Sequence, residues 1–501
     1  MKSTVADYGK ASNGDWKFFG HPRGLSTLFF TEMWERFSYY GMRALLLLYM
    51  VTAVDEGGLG FDEKTSGAIY GLYTMLVYLL ALPGGWIADN ILGLRKSVFY
   101  GACIISLGHF LLLITYIQTF FLGLLCIVIG TGLLKPNISS LVGELYLPEE
   151  NARRDAGYSI FFMGINIGAF LAPFITGYLG EKINWHYGFA AAGIGMVFGI
   201  IQYKISEHNL GDRGSRASTV IHSRDRMILL FSSLAIALLV LLMLTGIIIP
   251  DPVVIASTSA YVIGTCAVLY FAFLLFFTKL QIAERKNVMV IAVFFLASVV
   301  FYMGYEQQGS SLNLFALRYT DMTVGSFEMP ASWLQAVPAV SVLLFAPFFA
   351  WLWVWLSKRN LNPPTPVKLS LGLLFVSLSY FLMSIAALII VGGEKALPTW
   401  LAATFLLQTF GEICLYPVGL SAVKKLSPKR FSAQLMGVFF MSLALGNLMA
   451  GLIAGEMKAE LIAADPQLLV TLFIRIAFVI FVAALAILAA NKLLNKLVEK
   501  P

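Results

Sequence analysis

The sequence predicts an all-α protein that crosses a membrane many times. Of its 501 residues, 58% are hydrophobic and only 13% are charged, whereas a soluble chain of this length needs more charge to cover its surface. Apolar stretches of about 20 residues, enough to span a bilayer as a helix, recur along the chain between charged or Pro/Gly-containing loops. The chain is therefore expected to be a polytopic membrane protein.

The apolar stretches number fourteen. They lie at about residues 24–54, 65–88, 97–117, 119–146, 156–180, 187–206, 226–249, 254–279, 288–316, 331–357, 367–391, 398–425, 432–456 and 468–494. With both termini in the cytoplasm, most loop Lys and Arg residues fall on the cytoplasmic side, as the positive-inside rule requires. The opposite side holds only Lys64, Lys182, Arg318, Lys395 and Lys458. If the number of spans were wrong by an odd number, every later loop would change sides of the membrane and the bias would be inverted there.

The loop at residues 206–226 divides the chain. The next two spans contain no charged residue between Ile228 and Thr278 apart from Asp251, so we expect them to be peripheral. Without them, six spans precede and six follow, the layout of the major facilitator fold with an inserted hairpin. The loop GGWIADNILGLRK at 84–96 resembles, in part, the loop motif of that fold. The expected parts are a cytoplasmic segment (1–23), a six-helix bundle (24–206), a cytoplasmic linker plus hairpin (207–287), and a second bundle with a short cytoplasmic tail (288–501).

The first span carries charges that a membrane helix normally avoids. Its segment TEMWERFSYYGMR, residues 31–43, contains Glu32, Glu35, Arg36 and Arg43. At about 100° per residue, Glu32, Arg36 and Arg43 lie within roughly 60° of one another, together with Tyr39. A charge at the bilayer centre costs about 2.5–3.5 kcal/mol on insertion scales. This face is therefore expected either to line a watery cavity or to meet opposite charges, and to touch a substrate path.

Three further ionisable residues lie inside spans that contain glycine or proline. Lys135 occurs in GTGLLKPNISS, Glu306 in FYMGYEQQGSSLN and Glu412 in FGEICLYPVG, where Gly and Pro favour kinks and close packing. A structural ion pair is the alternative interpretation of each. Asn166, in FFMGINIGAF, contacts either a neighbouring helix or a ligand. Arg475 in the last span is expected to be structural, since it can reach the outer membrane surface.

Other functional classes find little support. The cysteines (Cys103, Cys126, Cys266 and Cys414) all lie inside apolar stretches, so neither disulfides nor metal ligands are expected. The five histidines do not cluster, which disfavours a metal site. The basic residues follow membrane orientation, so we reject nucleic-acid binding.

Motifs of ATP-driven or catalytic chemistry are also missing. The sequence contains no phosphate-binding loop, no HExxH and no nucleophile elbow. We therefore expect no enzymatic activity, and we expect energy to come from an ion gradient or from the substrate gradient itself. Carboxylates beside basic partners in a low-dielectric cavity suit proton coupling.

The motif ExxERFxYYG at residues 32–41, together with FFMGINIGAF and the surroundings of Lys135 and Glu412, resembles the proton-dependent oligopeptide transporter (POT) family in its fourteen-span bacterial form. The resemblance covers nearly the whole chain. It implies a symporter that imports di- and tripeptides by alternating access, with protons as coupling ions and no other cofactor. It also implies a place in the lipid bilayer of the bacterial plasma (inner) membrane. We expect a monomer, although the sequence leaves the oligomeric state open.

The resemblance also implies residue roles. The proton-coupling residues would be Glu32, Glu35 and Glu306. The peptide carboxylate would contact Arg36, Lys135 and Tyr40, since two cations in a confined pocket suit an anion. The peptide amino terminus would face Asn166 and Glu412, and the pocket would be lined by Tyr39, Tyr78 and Tyr302. Arg43 with Glu306 would close an outer gate, and Lys135 with Glu412 an inner gate.

The sequence departs from the family pattern in span 2 and near Gln335. Gly71 stands where animal peptide transporters carry a His, so coupling is expected to use carboxylates. Pro338 and Ala339 stand where the family usually has Asn-Pro, which removes one contact to the amino terminus. The alternatives left open are uptake of another anion such as nitrate and a fourteen-span drug/proton antiporter. A receptor or enzyme would need a soluble module, and no loop is long enough to hold one.

Overall fold

The computed structural model describes residues 18–147, 149–215 and 251–498, with scattered positions between 217 and 246. These residues are almost entirely helical. The α-helices, numbered in chain order, are α1 (Gly24–Val51), α2 (Glu63–Leu79), α3 (Ala81–Ile87), α4 (Leu94–Leu111), α5 (Ile117–Glu144), α6 (Asn151–Ala172), α7 (Tyr178–Lys182), α8 (Trp185–Ser206), α9 (Pro252–Ala272), α10 (Ile282–Tyr305), α11 (Ser311–Tyr319), α12 (Val337–Lys358), α13 (Thr365–Val391), α14 (Pro398–Leu426), α15 (Ser432–Ala454), α16 (Ala459–Ala464), α17 (Gln467–Ala489) and α18 (Asn491–Val498). A short antiparallel hairpin joins β1 (Thr323–Val324) to β2 (Phe327–Glu328).

Several helices are extended by tighter or wider turns. π-Helical turns at Ala88–Leu92, Pro173–Gly177 and Phe273–Phe277 continue α3, α6 and α9. A 3₁₀ turn at Glu306–Gly309 separates α10 from α11, and another at Ala331–Ala336 precedes α12. Such turns change the hydrogen-bonding pattern of the backbone and often lie at functional positions.

The structure supports the predicted membrane spans. Eleven segments of the described residues are long and apolar enough to cross a membrane. α1 and α4, with 28 and 18 residues, are also long enough, so thirteen of the fourteen predicted spans correspond to a helix. The predicted span at 226–249 falls largely outside the described residues. The protein is thus an all-α, multi-pass membrane protein.

The chain alternates between two faces of the molecule. We call the face that holds the starts of α1 and α10 and the end of α17 the proximal face, and the opposite one, with the β1–β2 hairpin, the distal face. On the proximal face, Arg95 lies 2.8 Å from Glu207, which joins the start of α4 to the end of α8. On the distal face, Arg318 lies 2.8 Å from Glu63 and joins the N-terminal helices (α1–α8) to the C-terminal helices (α10–α18).

Small residues allow the helices to approach closely. Lipid tails are as apolar as the helix surfaces, so helices in a bilayer associate by close packing and polar contacts and not by the hydrophobic effect. A Cβ on Gly108 of α4 would lie 2.7 Å from the carbonyl oxygen of Gly123 of α5. A Cβ on Gly372 of α13 would lie 2.9 Å from the carbonyl oxygen of Gly411 of α14. These positions require glycine because any side chain would separate the two backbones.

The α9 segment and the segment that contains α12 are the two least buried of the eleven candidate spans among the described residues. The inward stripe of α9 consists of Ala256, Ile263, Ala267 and Phe271, and the helix packs against α2 and α15. Of its most apolar window, 22% is buried. The expectation that this part of the chain is peripheral agrees with this exposure.

The N-terminal and C-terminal helices meet tightly toward the distal face, where α2 crosses α15. A Cβ on Gly67 would lie 2.3 Å from the carbonyl oxygen of Gly451, and a Cβ on Gly71 would lie 2.9 Å from that of Leu448. The glycine found in place of histidine at position 71 therefore has a structural reason. A larger side chain would force these two helices apart.

Polar contacts close the same face. The Glu181 carboxylate accepts hydrogen bonds from the backbone N–H groups of Ala331 and Ser332, at 2.8 and 2.9 Å. Lys182 lies 2.8 Å from Glu328 of β2. The hydrogen bond from Lys182 holds the pKa of Glu328 below its ordinary value, so this contact persists at neutral pH and weakens as the pH falls through that lowered value. The distal face is therefore closed in this structure.

Replacing Gly451 with alanine is expected to destabilise the crossing of α2 and α15. The added methyl group would meet the Gly71 backbone at 2.5 Å, and overpacking of this kind costs about 1–3 kcal/mol. Thermal melting of the purified protein in detergent should show the loss. Gly264→Ala in α9 is the matched control, since a Cβ there meets nothing within 4 Å. Equal melting temperatures for the two variants would contradict the expectation.

Candidate functional site

The charged residues of α1 are all buried. Glu32 is 2% exposed, Glu35 0%, Arg36 3% and Arg43 9%. The Arg36 guanidinium donates to Glu35 through Nη2 at 2.6 Å and contacts it again through Nε. The same Nε lies 3.3 Å from Oε1 of Glu32. One guanidinium therefore holds both carboxylates, which leaves neither without a positive partner.

Lys135 completes this group from α5. Its ammonium lies 4.5 Å from the centre of the Tyr78 ring and is close enough to interact electrostatically with Glu32 and Glu35. We call Glu32, Glu35, Arg36 and Lys135 the α1–α5 cluster. Its formal charges, two negative and two positive, cancel. Oε2 of Glu32 is buried and has no hydrogen-bond partner among the described residues, so this oxygen is free to take a proton.

Arg43 joins α1 to the C-terminal helices. Its Nη2 lies 2.5 Å from Oε2 of Glu306, and its Nε donates to the Tyr70 hydroxyl at 2.7 Å. Glu306 is 3% exposed and begins the 3₁₀ turn between α10 and α11. A Cβ on Gly309 would lie 2.0 Å from the Tyr70 oxygen, so only glycine fits at that position. A buried pair of this kind is costly to break by removing one partner.

Glu412 lies on the opposite wall, in α14. It is half-buried, and its Oε2 accepts a hydrogen bond from the Tyr305 hydroxyl at 2.6 Å. The expected contact between Lys135 and Glu412 is not formed in this structure, where Lys135 packs on Tyr78 instead. The physical reason is that the N-terminal and C-terminal helices contact each other near the distal face. Lys135 and Glu412 lie on the proximal side of these contacts, where the two sets of helices are further apart.

The partly exposed side chains define the cavity between the two sets of helices. Tyr40, Tyr78, Lys135, Tyr305 and Glu412 are all half-buried, whereas α1 is fully buried from position 41 to 50. The space between these side chains, which we call the cavity, is therefore closed toward the distal face.

The remaining predicted site residues are more deeply buried. Asn166 donates to the Phe162 carbonyl oxygen at 2.9 Å within its own helix, which leaves its side-chain oxygen for another partner. Tyr39 lies 4.9 Å below the Arg36 guanidinium, and Tyr302 is 3% exposed against α15. Arg475, which was expected to be structural and not part of the site, is exposed and contacts Glu456 near the distal end of α17. No group of three or more His, Cys, Asp or Glu residues that could hold a metal is found in the part of the chain that the structure describes.

Some residues near the site were not predicted from the sequence. Tyr305 binds Glu412, and Gln408 accepts a hydrogen bond from Gln308 at 2.9 Å. Both signals were present in the sequence, since Tyr305 directly precedes Glu306 and Gln408 lies one helical turn before Glu412. Gln335, next to the missing Asn-Pro, donates to the Gln308 carbonyl oxygen. Pro338 lies in the first turn of α12, where proline costs no helical hydrogen bond.

The chain is similar to known proteins along most of its length. The family model PTR2, described as the POT family, matches residues 95–467. The chain is 39% identical over 488 residues to the peptide transporter YePEPT of Yersinia enterocolitica subsp. palearctica serotype O:3 (strain YE-P4), which covers 94% of each chain. It is 34% identical over 437 residues to the di-/tripeptide transporter of Lactococcus lactis subsp. cremoris, which covers 85% of this chain and 87% of that one. The crystal structure of the peptide transporter POT in complex with sulfate superimposes with a TM-score of 0.89 at 37% identity, covering 97% of each chain. Because the family model matches most of the chain and the fold superimposes on that of a POT peptide transporter, this chain belongs to the POT family.

Proposed function

We propose that this protein is a symporter that uses a proton gradient to import di- and tripeptides by alternating access. The observation that carries the proposal is the separation of buried charge across the cavity. Arg36 and Lys135 lie on one wall, and Glu412 lies on the other without a cationic partner among the described ion pairs. A short peptide carries a carboxylate at one end and an ammonium group at the other, so it complements both walls. The names of the two relatives, a peptide transporter and a di-/tripeptide transporter, support this substrate class.

The α1–α5 cluster suits coupled binding of a proton and a carboxylate. With both glutamates ionised, the Arg36 guanidinium is occupied by Glu35 and Glu32. A proton on either glutamate removes one negative charge and weakens one of these contacts, which leaves the guanidinium, with Lys135 and Tyr40, to bind the peptide carboxylate. A bound carboxylate in turn favours the protonated glutamate, as thermodynamic linkage requires.

The amino end of the peptide would lie against Glu412 and Asn166. Glu412 supplies a carboxylate, and Asn166 supplies a side-chain oxygen that its internal hydrogen bond leaves free. The rings of Tyr39 and Tyr78 are already engaged by Arg36 and Lys135, so these tyrosines shape the pocket around the cations. Tyr302 would support the opposite wall by packing.

Alternating access would use the two charge pairs in turn. Arg43 with Glu306 closes the distal face, and a proton on Glu306 would remove the attraction that holds the pair. Lys135 and Glu412 would approach when the proximal side closes. The Lys and Arg bias supports a proximal face in the cytoplasm, with both termini there. The bacterial relatives support a location in a bacterial inner membrane. This cycle requires protons as the coupling ligand. All the residues that the proposal uses for transport belong to one chain.

The proposal is tested by proton movement in proteoliposomes that contain the purified full chain. Adding dialanine outside should make the external medium more alkaline, because each imported peptide carries protons inward. A protonophore should abolish the signal, and vesicles without protein should give none. Alkalinisation by nitrate but not by dialanine would support anion uptake instead. Dialanine uptake with no pH change would contradict proton coupling, and proton release on drug addition would indicate an antiporter.

A further inference from the structure

The chain between α10 and α11 is attached to α14 at two positions. The Tyr305 hydroxyl donates to Oε2 of Glu412 at 2.6 Å. Three residues later, Nε2 of Gln308 donates to Oε1 of Gln408 at 2.9 Å. Gln408 and Glu412 are four residues apart in α14, so they lie on the same face of that helix, one turn apart. The two hydrogen bonds therefore form two parallel links between α14 and the segment 305–308.

Glu306 lies between these two links. Its side chain points across the interface to Arg43, at 2.5 Å, while Tyr305 before it and Gln308 two positions after it are bonded to α14. The direction of the Glu306 carboxylate toward Arg43 therefore depends on the position of this segment. The state of the two links thus affects the pair that closes the distal face.

Only one of the two hydrogen bonds, that between Tyr305 and Glu412, borders the cavity. Gln408 is fully buried and donates its own amide to the Ser379 hydroxyl at 3.2 Å, so the Gln308 link is closed to a ligand. Glu412 and Tyr305 are half-buried and border the space proposed for the peptide. A further hydrogen bond near the segment, from the Tyr380 hydroxyl to the Gly304 carbonyl oxygen at 2.7 Å, is buried within the C-terminal helices.

We propose that the Tyr305 hydroxyl transmits the occupancy of Glu412 by an ammonium group to the Arg43–Glu306 pair, and that Tyr305 is a positioning residue for the transport cycle. This inference rests on the proposed function, because it takes the ligand of Glu412 to be the amino end of a peptide. An arriving ammonium group shares the negative charge of Glu412 and weakens the hydrogen bond from Tyr305. The segment is then released on one side, Glu306 loses its position opposite Arg43, and the distal face opens more readily with peptide than without it.

The test follows opening of the distal face directly. Ser332 is fully buried where the N-terminal and C-terminal helices meet, against Gly177, so Ser332→Cys places a thiol there with little change in size. In proteoliposomes, a membrane-impermeant maleimide added on the distal side reacts with this thiol only when the face opens. Saturating dialanine should raise the labelling rate by about fivefold, whereas N-acetyl-dialanine, which has no ammonium group, should have little effect. The protein without Ser332→Cys measures labelling of the native cysteines.

Tyr305→Phe, which removes only the hydroxyl, should abolish the response of labelling to dialanine while the affinity for dialanine stays within about twofold. Tyr380→Phe is the matched control, because it removes a tyrosine hydrogen bond to the adjacent residue, Gly304, that does not face the cavity. A merely structural role of Tyr305 predicts that the two variants behave alike, and that outcome would overturn the proposal. So would a full dialanine response in Tyr305→Phe, or a tenfold loss of affinity, which would make Tyr305 a binding residue. If Ser332→Cys vesicles show proton-coupled dialanine uptake but no change in labelling with dialanine, this inference fails while the proposed function stands.

Discussion

Arg36→Ala is expected to abolish the uptake of dipeptides with a free carboxylate. Arg36 holds both Glu32 and Glu35 in a buried site, and it is the guanidinium proposed to receive the peptide carboxylate. Truncating one partner of a buried, hydrogen-bonded charge pair costs about 2–5 kcal/mol, which corresponds to a loss of about 30-fold or more in kcat/KM at 1.36 kcal/mol per factor of ten. The measurement is initial uptake of radiolabelled dialanine into proteoliposomes under a fixed pH gradient.

Two control variants separate binding from an unpaired buried charge. Arg36→Lys keeps the charge but loses the two-point geometry of the guanidinium, so partial activity is expected. Arg36→Ala combined with Glu35→Gln removes the carboxylate that Arg36→Ala alone would leave unpaired. If the double variant recovers thermal stability but still fails to bind dialanine at equilibrium, the guanidinium is needed for the substrate. Normal uptake by Arg36→Ala would remove this residue from the proposed binding site.

Glu306→Gln is expected to abolish peptide accumulation driven by a pH gradient and to spare peptide exchange. Glutamine is close in shape to glutamate, and its side-chain oxygen can still accept a hydrogen bond from Arg43. It cannot take up and release a proton, so the distal pair no longer responds to the gradient. The two modes are compared in the same vesicles, as net uptake under a pH gradient and as exchange of internal for external dialanine at equal pH.

Glu328→Gln is a matched control for Glu306→Gln. Glu328 is a distal-face carboxylate that also pairs with a cation across the interface, Lys182, but it is exposed, and exposed pairs contribute about 0–1 kcal/mol. This variant should accumulate dialanine almost as the unmodified protein does. If Glu306→Gln concentrates dialanine under a pH gradient to the same extent, Glu306 is not a coupling site.

The clustering of charge on α1 was predictable because it depends only on helical spacing. Glu32, Arg36 and Arg43 had to share a face once the segment was helical, and the cost of burying them required partners. Helical spacing alone could not predict which residues those partners are. Glu35 and Glu32 share Arg36, a local arrangement, but the partner of Arg43 lies 263 residues further along the chain and was expected only from the family resemblance.

The contacts of Glu412 and Lys135 were not predictable in the same way. The family resemblance suggested that they pair with each other, whereas the structure gives them Tyr305 and Tyr78. Both arrangements use the same residues, and the choice between them depends on which side of the molecule is closed. The closed distal face follows from contacts such as Gly67 with Gly451, which no local pattern reveals.

The sequence by itself determined the all-α, multi-pass architecture, the positions of most spans and the presence of a polar face in the first one. These properties are local: hydropathy is set by neighbouring residues, and the face by a period of 3.6 residues. Only the tertiary structure decided that α10 is interrupted at Glu306, that α14 holds this interruption through Tyr305 and Gln308, and that the cavity is closed distally. These properties arise from contacts between helices that lie far apart in the chain, because close packing selects one mutual arrangement of the helices.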